Sequence, residues 1–186
     1  QALKAGEVRI VGGQWKRTKL AVLDKPGLRP TPDRVRETLF NWLGQDLAGW
    51  RCLDAFAGTG ALGIEAASRG AQAVTLVEQD AALVAQLHKH AQRLQASTLQ
   101  IVRGDGLSAL RQAAPGSCDL IFLDPPFDAN LFEPALKAAA LAIKPSGWIY
   151  LEAPSAWSGE VLAALGLQCH RHLKAGMVHA HLLCVA

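Results

Sequence analysis

The stretch LDAFAGTGALGIEAASRG, residues 53–70, runs from an apolar strand into a glycine turn and then a helix. Gly58, Gly60 and Gly63 satisfy G-x-G-x-x-G in the strand–turn–helix setting that gives this pattern its meaning. Outward from it, apolar runs predict strands at 52–56, 73–78, 99–103, 119–123 and 147–152. Amphipathic patterns predict helices at about 61–69, 80–95 and 130–143 between them. Strands alternating with helices imply a mostly parallel sheet covered on both faces, an α/β fold of Rossmann-like type. In such sheets a ligand sits outside the carboxyl ends of the strands, at the turn after the first.

The flanks read differently. Residues 8–23, VRIVGGQWKRTKLAVL, predict two short strands around Gly12-Gly13, a small N-terminal hairpin. A proline-rich KPGLRP leads into TPDRVRETLFNWL, a helix that Thr31 can cap, with Pro32 suited to its first position. Val35, Leu39, Trp42 and Leu43 form its apolar stripe. At the other end, LQCHRHLKAGMVHAHLLCVA predicts a hairpin turning near Ala175-Gly176. The division expected is a basic arm over 1–30 and one catalytic-sized domain over 31–186, with no repeat and no low-complexity tract.

Half of the 186 residues are hydrophobic, yet charges and prolines interrupt every apolar run short of the roughly 20 residues a membrane span needs. No signal peptide is visible, and Cys52, Cys118, Cys169 and Cys184 show no C-x-x-C spacing. That usage suits small buried hydrophobes in a reducing compartment, so a cytoplasmic protein is expected. The net charge of +3 is unevenly spread. Residues 1–36 hold nine basic side chains against Glu7, Asp24 and Asp33, and the remainder is net negative. A basic arm on a slightly acidic body suits a polyanionic partner, with a merely solvated arm as the other reading.

Glycines at 58 and 60 let a ligand approach the backbone, and Gly63 allows helix and sheet to pack closely. Glu78 ends the second strand, where a carboxylate can take both hydroxyls of an adenosine ribose. A nicotinamide dinucleotide and S-adenosylmethionine both carry that ribose, but only the dinucleotide brings a pyrophosphate to the helix N-terminus. Asp54, four residues before Gly58, would oppose a pyrophosphate and suit an ammonium or sulfonium. Asp105, in RGDG, is placed to accept from an adenine amino group, unless it is an ordinary turn aspartate.

DLIFLDPPFDAN places Asp124, Pro125, Pro126 and Phe127 at the end of an apolar strand. Proline stiffens the chain and donates no hydrogen bond, leaving nearby carbonyls free as acceptors. The Asp124 side chain and the Pro125 carbonyl can each take one N–H of an exocyclic amine, aiming its lone pair at a methyl donor. Phe127 offers a face on which a base can stack. A nicotinamide enzyme has no use for this arrangement.

The Asp-Pro-Pro-Phe stretch and the turn from Asp54 to Gly60 resemble the class I S-adenosylmethionine-dependent methyltransferases that modify exocyclic amines. RIVGGQWKRTKL followed by LRPTPDRVRETLFNWL is more specific and resembles the bacterial RsmD family, which methylates N2 of a guanine in 16S ribosomal RNA. HRHLKAGMVHAHLL suits the family's closing hairpin, so the resemblance covers nearly the whole chain. It implies a seven-stranded sheet with the last strand antiparallel. It also implies that the block around Thr31 and Arg34 folds over the methionine end of the cofactor, and Phe56, Gly58, Gly60, Gly106 and Asp124 join Asp54, Glu78 and Asp105 as expected cofactor-binding residues. Asp128 and the segment to Asn130 bring no basic residue, which shifts RNA contact onto the arm: Arg9, Trp15, Lys16, Arg17, Lys19 and Arg29. The implied partner is 16S rRNA or an assembling small subunit, and nothing demands more than a monomer.

The rivals are an adenine-N6 methyltransferase on DNA or RNA, a protein glutamine methyltransferase, a nicotinamide oxidoreductase and a non-catalytic RNA-binding module. Among the H-x-H pairs, a hairpin turn at 175–176 would set His172 opposite His179 and His170 opposite His181. They fit no standard metal spacing, so a polar sheet face is expected rather than a metal site. Trp42, Trp50, Trp148 and Trp157 are expected to pack structure.

Overall fold

The computed structural model describes residues 6–126 and 129–186. The arm forms the antiparallel pair β1 (Glu7–Arg9) and β2 (Lys19–Ala21), with Val8 opposite Leu20 and both buried. The strands are shorter and their connection longer than the sequence suggests. Gly12 and Gly13 are not the hairpin turn itself. They press against the end of helix α2 (Ala61–Ser68), where a Cβ on Gly13 would stand 1.9 Å from the Ser68 carbonyl oxygen. Gln14 donates its backbone N–H to that same carbonyl at 2.8 Å.

Helix α1 (Asp33–Leu43) starts after Pro32 without a side-chain cap. The Thr31 hydroxyl expected to cap it is instead drawn into the core, as described below. Arg36 on this helix is almost wholly buried, and its guanidinium meets the buried carboxylate of Glu65 on α2 at 2.8 Å. Glu65 also takes the backbone N–H groups of Val11 and Gly12 and the Nε of Arg69 at 2.9–3.0 Å. One buried carboxylate thus binds the arm, α1 and α2 together, and its charge is compensated by two guanidinium groups.

Six further strands and four helices follow in the described residues up to the terminal strand. They are β3 (Arg51–Asp54), β4 (Ala73–Glu78), α3 (Ala81–Leu94), β5 (Leu99–Arg103), α4 (Gly106–Gln112), β6 (Cys118–Leu123), α5 (Ala129–Ala142), β7 (Ile143–Ala153), α6 (Gly159–Ala164) and β8 (Leu167–Ala175). The chain ends on β9 (Val178–Val185). The seven-stranded sheet has the order β5-β4-β3-β6-β7-β9-β8, with β9 antiparallel to both neighbours and the first five strands parallel. This is the expected Rossmann-like sheet with helices on both faces. The predicted strands and long helices are present within a few residues, whereas α4 and α6 are too short for periodicity to reveal.

Phe40, Phe122 and Tyr150 meet ring to ring on the face covered by α1 and α2, with centroids 6.3–6.5 Å apart. Ile121, Leu123, Leu151 and Leu183 face the other way, toward α4, α5 and α6. The closing hairpin is shifted from the expected register. Ala175 pairs with Val178, so His172 lies opposite His181 and Lys174 opposite His179. The cause is Gly176, whose φ of 60° makes it the first of two loop residues, where a tight hairpin turn takes glycine. Cys52 and Cys118 are buried as expected, but Cys169 is exposed on the edge strand β8.

Candidate active site

A cavity of about 860 Å³ opens at the carboxyl ends of β3, β4 and β6, ample for a nucleoside-sized ligand. The parallel topology makes this inevitable. It ends each strand on the same side and brings Asp54, Glu78, Asp105 and Asp124 to one rim, although they lie far apart in sequence.

Asp54 ends β3 and is buried. Its Oδ2 accepts the Gly63 backbone N–H at 3.1 Å, while Oδ1 is buried without a partner among the described residues. Burial, reinforced by the charges of Glu78 and Glu152, pushes its carboxyl up to about 7. A Cβ on Gly63 would meet Leu76 at 2.2 Å, so this glycine lets α2 lie against the sheet as predicted. Gly58 lines the cavity and donates its N–H to Glu78 Oε1 at 2.9 Å. Glu78 Oε2 accepts from Asp80 N, so the carboxylate braces the turn while lining the cavity. Gly60 is not on the cavity wall. It opens α2 with a φ of 82°, and a Cβ there would lie 2.6 Å from Leu87.

Asp105 caps α4 through Ser108 N and Oγ, and also accepts from Gln79 Nε2. Hydrogen bonding from the Ser108 hydroxyl, then its backbone N–H, holds the carboxyl below its usual value. It is therefore the turn aspartate and a cavity residue at once. Gly106 is buried where a Cβ would strike the Ala55 carbonyl and the Phe56 ring, and Phe56 lines the cavity beside it. Asp124, Pro125 and Pro126 follow β6, the strand beside β3, and line the cavity. Phe127 and Asp128 lie outside the described residues.

The segment from Pro26 to Pro32 closes one side of the cavity. Thr31 is buried in this wall, but Arg34 is exposed on α1 and does not line the cavity, contrary to the cofactor role expected for it. The helix turn rotates position 34 outward and puts Val35 on the wall instead. Arg29, assigned by sequence to RNA, lines the cavity and is exposed. Of the other arm residues, Lys16, Arg17 and Lys19 are exposed, while Arg9 pairs with Asp33 at 2.9 Å. Trp15 does not stand free among charges. Its ring is half-buried against the main core.

Glu152 was missed by sequence reading. It is the last residue but one of β7, is nearly buried, and its Oε1 accepts from the hydroxyls of Thr31 and Tyr150 at 2.7 Å each. A lone carboxylate in WIYLEAP, at the mouth end of an apolar strand, was the signal available. Burial, then the charge of the neighbouring Glu152, pushes the Asp124 carboxyl well up. Among the described residues no group of three or more metal-binding side chains is assembled. In the closing hairpin, His181 is buried, with Nε2 accepting from Trp157 N and Nδ1 beside the Leu151 carbonyl.

An uncompensated carboxylate oxygen at the glycine turn repels a pyrophosphate and suits a cationic ligand, and the Asp-Pro-Pro wall beside it suits an amine. Fold and site together define the S-adenosylmethionine-dependent methyltransferases of class I. The family model described as Conserved hypothetical protein 95 matches residues 8–184. Ribosomal RNA small subunit methyltransferase D of Escherichia coli K12 is 46% identical over 149 residues, covering 80% of this chain and 73% of that protein. The protein of the same name from Haemophilus influenzae is 46% identical over 152 residues, 79% of each chain. The solved structure of the Escherichia coli protein yhhF superposes with a TM-score of 0.82 at 36% identity, covering 97% of this chain and 98% of that one. The chain belongs to the ribosomal RNA small subunit methyltransferase D family.

Proposed function

We propose that this protein transfers a methyl group from S-adenosylmethionine to the exocyclic N2 of a guanine in 16S rRNA of the small ribosomal subunit. The observation that carries this is the meeting of two walls. The glycine turn with Asp54 and Glu78 faces one cavity with Asp124, Pro125 and Pro126. The cofactor supplies an electrophilic methyl group. Glu78 is suited to the ribose hydroxyls, Asp105 to the adenine amino group, and Asp54 to the positive end. Thr31 and the proline wall around it shield that end from water.

Asp124 and the Pro125 carbonyl accept the two N–H groups of the target amine, turning its lone pair toward the methyl group. They also stabilise the positive charge that grows on nitrogen as the bond forms. The base is displaced from its stack to reach them, at a cost of a few kcal/mol. Phe127 remains the proposed stacking face. Lys16, Arg17, Lys19 and Arg29 offset this cost by holding phosphates, and the arm over 1–30 is the RNA-contacting part of a cytoplasmic monomer whose domain spans 31–186. No helix among the described residues is long and apolar enough to cross a membrane.

The test is label transfer from methyl-tritiated S-adenosylmethionine to unmodified small subunits, naked 16S rRNA, duplex DNA and a release-factor protein in parallel. Recovery of label as N2-methylguanosine is expected. Label in methyladenine or in protein would refute the substrate while leaving the enzyme class intact.

A further inference from the structure

Glu152 sits where three parts of the molecule converge. Its Oε1 is filled by two hydroxyl donors, Thr31 from the cavity wall and Tyr150 from its own strand. Leu151 pairs with Leu123, so Glu152 and Asp124, the residue after β6, stand side by side where both line the cavity. The groups that face this point are Asp54 from β3, Asp124 after β6, Tyr150 on β7, Thr31 from the wall and Ala180 on β9. Among the described residues no lysine, arginine or histidine pairs with Glu152 or Asp124.

Two carboxyl groups can hydrogen-bond to each other only through a proton. Set side by side by the strand register, with Glu152 buried, Asp124 half-buried and no cation paired with either among the described residues, the two carboxyls hold one proton between them, because the second charge has no compensation. We propose that Asp124 and Glu152 act as a single carboxyl pair with one shared proton, in which Glu152 is the positioning residue for Asp124. This rests on the role given to Asp124 above.

The shared proton occupies the inner oxygen of Asp124, on the Glu152 side. The outer oxygen is left bare, facing the cavity, with its lone pairs free for the substrate N–H. Thr31 and Tyr150 fix Glu152, Glu152 fixes Asp124, and the wall that covers the cofactor is thereby tied to the group that aims the amine. When the N2 lone pair has formed the new N–CH3 bond, with the C–S electron pair left on sulfur, nitrogen carries one proton too many. That proton passes to the outer oxygen of Asp124. The product amine is then neutral and the pair holds two protons, one of which returns to water on product release. The pair goes from one negative charge to none, so the charge created on nitrogen is cancelled within a single hydrogen bond.

The test combines a spectroscopic signature with kinetics. Infrared difference spectra at pH 8 compare the chain with its Glu152→Gln variant, both in an Asp54→Asn background that silences the third carboxyl. A protonated-carboxyl band lost in the variant is expected. Loss of an ionised-carboxylate band alone would overturn the shared proton. This readout needs no RNA, so it stands or falls separately from the substrate assignment. In single-turnover methyl transfer at saturating S-adenosylmethionine, Glu152→Gln, whose amide N–H still reaches Asp124, keeps the rate within about fivefold. Glu152→Leu, which fills the space without a hydrogen bond, loses at least tenfold. Equal rates for Glu152→Leu and the unsubstituted chain, or equal losses for both variants, would overturn the positioning role.

Discussion

Burial of Asp54 carries a cost in the unliganded protein. With its carboxyl held near 7 against 3.8 for the free side chain, it binds a proton more tightly folded than unfolded. The stability this contributes is present below the unfolded value and lost as the pH rises toward 7. Asp54→Asn removes the buried charge. In chemical unfolding the unliganded variant should therefore be more stable than the parent at pH 8, by about 2–4 kcal/mol, with the gap closing toward pH 4. Its affinity for S-adenosylmethionine should fall at least tenfold by calorimetry, since the buried Oδ1 that lacks a partner is lost as an anion. Asp124→Ala should separate the two functions in the opposite sense, with turnover down about 100-fold or more and cofactor affinity within threefold. A matching loss of affinity would remove Asp124 from the substrate side.

At the scale of elements, the arm is held to the domain by contacts between distant segments rather than by its own two strands. Three residues per strand cannot support a free hairpin. Glu65→Leu leaves Arg69 buried without a carboxylate and Arg36 with Asp33 alone, and about 3–5 kcal/mol of stability should go with it in chemical unfolding. Gly13→Ala is more local. At a φ of 78° and 1.9 Å from the Ser68 carbonyl, the added methyl cannot be seated against helix α2. Hydrogen exchange should show amides of residues 10–18 losing protection while those of β3 and β6 keep theirs. The reading of Gly12-Gly13 as a turn missed this, because a close approach to a helix more than fifty residues away leaves no local mark. Thr31 was misread for the same reason. A threonine before a helix looks like a cap, and only the arrival of Glu152 on β7 diverts its hydroxyl.

For the whole molecule, the arm gives the acidic body a basic side, and Lys16, Arg17 and Lys19 are its exposed cations, the ones proposed to hold phosphates. Replacing all three by glutamine should lower the slope of log affinity against log salt by about 2, as expected for three lost phosphate contacts at roughly 0.7 each, with cofactor affinity unchanged. A slope that does not move would place the RNA elsewhere. The excess of basic residues near the N-terminus overstated this surface. Arg36 is spent in the core, Arg9 is paired with Asp33 and Lys25 with Asp80. By itself the sequence determined the sheet, the glycine turn and the positions of Asp54, Glu78, Asp105 and Asp124 along their strands, because period and turn chemistry are local and parallel strands deliver their ends to one rim. Only the tertiary structure decided that Arg34 faces out, that Arg29 joins the cavity, that the closing hairpin pairs His172 with His181, and that Glu152 meets Asp124. Each of these depends on which distant side chain fills a buried space or completes a hydrogen bond, and that choice is made by packing between segments far apart in the chain.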